Sequence, residues 1–345
     1  MTGRRMLAGA ALLALLMPGA PLQAESVADF YRGQTVTIIV SSSAGGGYDT
    51  VARTIARFLG KHIPGNPPVV VRNMPGAGGM SATNYLYNQA DKNGAVIGLL
   101  QNNTPFEPLF GTKEARYDPR KLSWLGTPSF ETAMLLLWHT APVDSVTQLR
   151  TREIAVGVSG ANSTPAFYAR LLNATLGTRM RLINGYAGQT EVFLAMERRE
   201  VDGHPSAFYN SVRAMRPAWL RDHLVKPIVQ YGPEKIPELG DVPFALDLVE
   251  SREDRQLIEA AVAPLAVGRP FVAPPGVAGE RIAALRAAFA FTMNEPEFLA
   301  EAERLGLGLN AARTGAELQE LVERAYSSPP GVIERLRQLN SLAIP

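Results

Sequence analysis

Apolar residues in this chain come in short β-branched runs that stop at glycine. Each run is followed by a stretch where apolar positions recur every three or four residues. Thr35–Ser41 (TVTIIVS) reads as a buried strand entering Gly45-Gly46-Gly47. Val51, Ile55, Phe58 and Leu59 then repeat at helical spacing, with Arg53 and Arg57 on the other side. Val69–Arg72 is a second strand, running into Pro75-Gly76-Ala77-Gly78-Gly79 and a helix that reaches Ala90; Val96–Gln101 is a third strand. Strand, loop and helix in this order predict a parallel sheet with crossover connections. Two more strand-like runs fall within 123–139, the second ending in Met134–Trp138.

The alternation then restarts. Ile154–Ser159 and Met180–Tyr186 are predicted strands, and Pro165–Leu176 and Glu191–Arg199 predicted helices. Ser206–Leu224 reads as helical with a break at Pro217, and Ile228–Tyr231 as a strand. Gly232–Pro243 is a Pro/Gly-rich linker, Phe271–Ala273 a late strand, and 279–340 mostly helical. Two successive α/β units predict two lobes. Such sheets take ligands outside the carboxyl ends of their strands, and two lobes can set those edges across a closing cleft.

Composition narrows the chemistry. With 345 residues, 46% hydrophobic and 19% charged, the chain is a folded globular protein with the length of about two domains. The absence of cysteine excludes disulfides, thiolate metal sites and a cysteine nucleophile. The four histidines, at 62, 139, 204 and 223, include no two at helical ligand spacing, so neither a metal site nor a cofactor is expected. His139 ends an apolar strand and reads as structural, while His204 and His223 fall near predicted helix ends.

Residues 1–24 read as an export signal. Arg4 and Arg5 precede an apolar run, Met6–Met17, that is too short to span a bilayer; Pro18 and Gly19 break it, and cleavage is expected after Ala24. This segment holds two arginines and no acidic residue, so its removal takes the net charge from +2 to zero. The expected product is a soluble periplasmic monomer, with no charge-based reason to bind nucleic acid or membrane.

The two glycine loops carry the clearest local chemistry. Each follows a strand and opens a helix, where unpaired N–H groups and the positive end of the dipole suit a carboxylate or phosphate. The alternative is an ordinary βα turn. Asp49 is equally a helix cap or a ligand contact, and Tyr48 either stacks on a ligand or packs on the lobe. Enzyme readings fare less well. No Gly-Lys-Ser/Thr follows the glycines, Gly76–Ser81 only imitates a dinucleotide fingerprint, and Gly157–Ala161 falls one residue short of a nucleophile elbow.

Ala44–Arg53 (AGGGYDTVAR), Arg72–Gly79 (RNMPGAGG) and Ala90–Gly98 (ADKNGAVIG) resemble the receptors of tripartite tricarboxylate transporters, the Bug or TctC-like periplasmic solute-binding proteins. Gly157–Ser163, Glu200–Asp202, Ile236–Val242 and Phe271–Gly276 agree, so the resemblance spans nearly the whole chain after residue 24. Departures are Ser41–Ser43, where Pro and Phe are usual, and the stretches Gly203–Trp219 and Asp222–Pro227.

The resemblance implies a two-lobed Venus flytrap of type II-like architecture with a mixed, mostly parallel sheet in each lobe. Residues 25–140 plus 265–345 would form the first lobe and 141–264 the second. It implies a non-enzymatic receptor that captures a small organic carboxylate and delivers it to integral membrane permease subunits. Carried over by position, Gly46, Gly47, Tyr48, Asp49, Gly76, Ala77 and Gly78 would hold the carboxylate. Ser159, Asn162, Ser163 and Thr164 would meet it from the second lobe, with Tyr186 to Thr190 as another cleft loop and Asn103 and Thr104 along the floor. Helix capping is the alternative for the Ser/Asn/Thr cluster. Arg170, Arg179 and Arg181 are expected on solvated faces. A sensory or adaptor receptor without a permease is the alternative function, and an exported hydrolase using Ser159 or Ser163 with a histidine a further one.

Overall fold

In the first strand Val36, Ile38 and Val40 point to one face and Ile39 to the other, and both faces are buried. An unbroken β-branched run does this because alternate side chains leave a strand on opposite sides. The computed structural model of the protein describes residues 25–341 apart from 162 and 310, so the expected export segment and Asn162 lie outside the described residues. The strands are Val36–Val40 (β1), Val69–Asn73 (β2), Val96–Leu99 (β3), Ser123–Thr127 (β4) and Ala133–Trp138 (β5). They continue with Ile154–Gly157 (β6), Met180–Ile183 (β7), Gly203–Phe208 (β8), Val225–Tyr231 (β9), Phe271–Ala273 (β10) and Arg313–Thr314 (β11).

Two mixed sheets result, in the order β11-β4-β10-β3-β1-β2 and β7-β6-β8-β5-β9. The parallel part is limited to β2-β1-β3 and β7-β6-β8, and the other pairings are antiparallel. The sheets are therefore less parallel than expected. At β4 and β10 the chain leaves and re-enters the first sheet, so no helical crossover within that sheet fixes their direction. β5, which falls within the expected first segment 25–140, pairs with β8 and β9 in the second sheet.

Helices cover both sheets. Ala133, Leu135 and Leu137 face the helices Thr164–Leu176 and Arg252–Val267, while Met134, Leu136 and Trp138 pack with Phe193, Met196 and Trp219. The helix Arg252–Val267, which is not among the elements predicted from the sequence, carries Pro264 near its end; Leu257, Ala261 and Leu265 pack in the core against the second sheet, and Ala263 and Val267 in that against the first. Val332, Leu336 and Leu339 of the last helix, Pro330–Ser341, also enter the second core. Arg170, expected on a solvated face, is buried there and donates to the Ala161 and Leu339 carbonyls at 2.7 and 3.2 Å.

A second difference concerns 203–224. Gly203–Phe208 is a strand, followed by short helices at Tyr209–Met215 and Pro217–Arg221. His204 thus sits in a buried strand and not at a helix end. Pro205 is accommodated because the register between β5 and β8 slips between Met134 and Leu136. Among the described residues no helix is long and apolar enough to cross a membrane.

Candidate functional site

The first glycine loop is pinned from below. Asp49, in the first turn of helix Gly47–Leu59, accepts from the Gly45 N–H at 2.8 Å and from Arg53 Nε at 2.9 Å on Oδ2, and from Asn73 Nδ2 at 2.9 Å on Oδ1. Asn73 Nδ2 also donates to the Ser42 carbonyl at 3.0 Å. The Arg53 hydrogen bond, helped by Gly45 and Asn73, holds the Asp49 carboxyl down at about 2. Both its oxygens are engaged, so Asp49 shapes the loop. The glycines at 45–47 and 76–78 are left exposed at the carboxyl ends of β1 and β2. The first N–H groups of the following helix have no partner within it.

These loops adjoin a cavity of about 360 Å3 whose walls come from both sheets. Of the sequence-predicted residues Tyr48, Ser159 and Thr164 line it, together with Gly188 and Gln189 from the loop assigned to Tyr186–Thr190. Tyr48 accepts from the Asn102 N–H at 3.3 Å and donates to the Gly268 carbonyl at 3.5 Å, so it ties the segment after β3 to the turn at Gly268. Gly46, Gly47, Asp49, Gly76, Ala77 and Gly78 are not among the lining residues, although Gly79 packs on Gln101 and Thr104.

The other predicted residues are placed apart from this cavity. Ser163 caps helix Thr164–Leu176, accepting from the Ala166 N–H and donating to the Gly160 carbonyl at 2.7 Å. Tyr186 packs over Gly157 and the second core. Asn103 donates to Glu107 and borders a neighbouring cavity of about 490 Å3 with Thr164. Thr104 is buried and donates to the Gln101 carbonyl at 2.9 Å. A larger cavity, about 690 Å3, lies beside Phe289 and Met293. Its Arg286 donates to the Trp124 carbonyl and its Arg313 to Glu234.

Sequence reasoning missed the two charged residues of the cleft. Glu131 lies on the segment joining β4 to β5, and Arg269 on the segment joining helix Arg252–Val267 to β10. The two segments are stitched together: Glu131 N–H donates to the Leu265 carbonyl at 3.0 Å and Arg269 N–H to Thr127 Oγ1 at 3.0 Å. Gly268 makes the turn possible, with φ +63° and no room for a Cβ, which would stand 1.9 Å from the Ser129 carbonyl oxygen. Arg269 Nη1 donates to the Leu307 carbonyl at 3.2 Å, its Nη2 stands 3.6 Å from Glu131 Oε1, and its guanidinium lies 5.9 Å from the Tyr48 ring centre. Burial pushes the Glu131 carboxyl up; Arg269 and the approaching Asn210 amide pull it down. Glu131 Oε2 is buried with no hydrogen-bond partner among the described residues.

His204 also borders the cleft. Its Nδ1 accepts from the Ser206 N–H at 3.1 Å, which places the proton of the neutral ring on Nε2, and burial holds it down at about 3. His62 pairs with Glu295, while His139 and His223 lie at exposed turns. Among the described residues no histidine hydrogen-bonds the Ser159 or Ser163 hydroxyl, so the nucleophile–base contact that a hydrolase needs is not formed.

Comparison with known proteins fits this geometry. No protein-family model matches the chain. The chain is 27% identical over 167 residues to the UPF0065 protein in the TAR-I ttuE-ttuC′ intergenic region of Agrobacterium vitis, a match covering 45% of this chain and 46% of that protein. The match thus spans about half the length of this curated relative. A TctC solute-binding protein from Polaromonas superposes with a TM-score of 0.70 at 19% identity, covering 88% of this chain and 99% of that one. MatC from Rhodopseudomonas palustris, solved with bound malate, superposes with a TM-score of 0.58 at 22% identity, covering 89% and 99%. The expected resemblance is met at the level of fold: the chain has the fold of the TctC solute-binding protein and of MatC.

Proposed function

We propose that the protein is a solute-binding receptor that closes its two lobes on one small organic carboxylate and performs no chemistry on it. The observation that carries this is the cleft itself. It joins the carboxyl ends of parallel strands in both sheets, contains one arginine, and is approached by the free N–H groups of a helix start beside exposed glycines. MatC, which shares the fold, was solved with a dicarboxylate. On this reading the chain up to Thr127, together with the part after Gly268, forms one lobe, and 133–267 forms the other. The two crossing segments at 128–132 and 268–270 act as the hinge. The receptor works in the periplasm after removal of residues 1–24, as a monomer, and passes its ligand to the membrane subunits of a tripartite tricarboxylate-type permease.

The test is a thermal-shift screen of mono-, di- and tricarboxylates against the purified protein. A ligand present at 100 times its Kd raises stability by about 2.7 kcal/mol. Gly47→Val is the site control, because a Cβ at Gly47 meets nothing within 4 Å and the variant is expected to fold. Its isopropyl group covers the helix-start amides, so binding falls while the unliganded melting temperature holds. No stabilisation by any carboxylate, or full binding in Gly47→Val, overturns the assignment.

A further inference from the structure

Only two charged residues line the cleft, one of each sign. Arg269 has a clear use for an anionic ligand, but Glu131 works against one. Its side chain is 12% exposed, its Oε1 stands 3.6 Å from Arg269 Nη2, and its Oε2 makes no hydrogen bond among the described residues, the nearby Asn210 amide only easing the cost of the buried charge. At that distance the contact is a charge pair without a hydrogen bond. Arg269 also spends Nη1 on the Leu307 carbonyl and the Ser129 hydroxyl, so it does not clamp the carboxylate in a fork. A carboxylate oxygen buried without a donor is costly and persists where something supplies the donor.

A ligand with several carboxylates and no cationic group would raise that cost, since the charges already lining the cleft cancel. A ligand carrying both a carboxylate and an amine would lower it. Its carboxylate takes Arg269 and the helix-start amides, and its ammonium fills the open position on Glu131 Oε2. The remaining lining polar groups, such as Gln101, Ser206 and Gln189, are neutral and suit either kind of ligand. Resting on the carboxylate-receptor reading, we infer that the cleft selects amino-carboxylates, with Glu131 as the residue that recognises the ammonium group.

The experiment is calorimetric titration of the purified protein with two matched pairs, aspartate against succinate and 2-aminobutanoate against butanoate. The amine-bearing member of at least one pair binds ten-fold tighter or more. Glu131→Gln reduces that preference below three-fold by weakening the amino member, and leaves succinate and butanoate unchanged or tighter. Glu131→Asp, which keeps the charge but shortens its reach, gives an intermediate preference and covers the case in which the glutamine variant misfolds. Equal binding of both members, or a preference that survives Glu131→Gln, overturns this inference and leaves the receptor reading standing. A protonated Glu131 donating to a ligand carboxylate produces the first of those results. Failure of every carboxylate to bind overturns both.

Discussion

Asp49 and Asn73, from the helix after β1 and the end of β2, meet through a 2.9 Å hydrogen bond from Asn73 Nδ2 to Asp49 Oδ1. The same amide group donates to the Ser42 carbonyl, so one side chain ties together the two loops that flank the cleft. Both carboxylate oxygens of Asp49 are engaged in holding the loop, with the Gly45 N–H and Arg53 on one and Asn73 on the other.

Replacing Asp49 by alanine therefore acts on stability first. The buried carboxylate is removed, and its three donors, the Gly45 N–H, Arg53 Nε and the Asn73 amide, lose their acceptor. A loss of about 1–3 kcal/mol is expected in urea unfolding. Acid dependence gives the sign. The folded carboxyl, held at about 2 against an ordinary 3.8, contributes stability that is present above 3.8 and disappears as the pH falls towards 2. The parent loses this part over that window, and Asp49→Ala, which has already lost it, shows a flatter profile there. Equal slopes for the two proteins would remove Asp49 from this role.

Gly78 and Gly268 share a φ of +62° and +63° but differ in ψ, +24° against −112°, and in their surroundings. A Cβ at Gly78 meets nothing within 4 Å, whereas at Gly268 it would collide with the Ser129 carbonyl. Gly78→Ala is expected to cost about 1 kcal/mol, the left-handed strain alone. Gly268→Ala adds the displacement of the 268–270 turn and is expected to cost about 3 kcal/mol or more. It also shifts Arg269 and weakens ligand binding. Chemical denaturation of the two variants measures the difference, and equal losses would mean that the turn relaxes freely.

Arg269→Gln tests the single cation of the cleft. A hydrogen bond to a charged group is worth about 1.5–3 kcal/mol, so affinity for a carboxylate should fall roughly ten- to a hundred-fold. The thermal stability of the unliganded protein changes less, because the arginine is tied to a carbonyl and a hydroxyl that water can replace at a side chain 23% exposed. Unchanged affinity would leave the glycine-loop amides as the whole anion site.

The parts of this molecule that were legible in the sequence are those written locally. β1 and β2 announce themselves as β-branched runs that lead into glycine loops, β3 as a short apolar run, and Ser163 shows the Ser-Thr-Pro start of a capped helix. β8 was illegible because Gly203-His204-Pro205-Ser206 has no apolar alternation; it is a strand because β5 and β6 pair with it on either side. Glu131 and Arg269 were illegible for a different reason. Each sits in a short polar connection that looks like any turn, and only the hydrogen bonds between the two crossing segments bring them to one cavity. A site built on a hinge is written in the packing of two distant connections, and local pattern carries little of it.

His204 gives the last prediction. The neutral ring is buried in β8 against Phe193, with Nδ1 accepting from Ser206 N–H, and it titrates at about 3 against 6.5 for a free histidine. The unfolded chain then binds a proton between those values that the folded chain refuses, so the histidine removes stability as the pH falls from 6.5 towards 3. His204→Asn keeps an acceptor for the Ser206 N–H and has no proton to bind. Between pH 6 and pH 4 the parent should lose up to about 2 kcal/mol more than this variant. Glu131, which burial pushes the other way, has the opposite sign in the same window, so the comparison must be variant against parent at each pH. Parallel unfolding curves across that window would show that the His204 ring is charged or reached by water in the folded state.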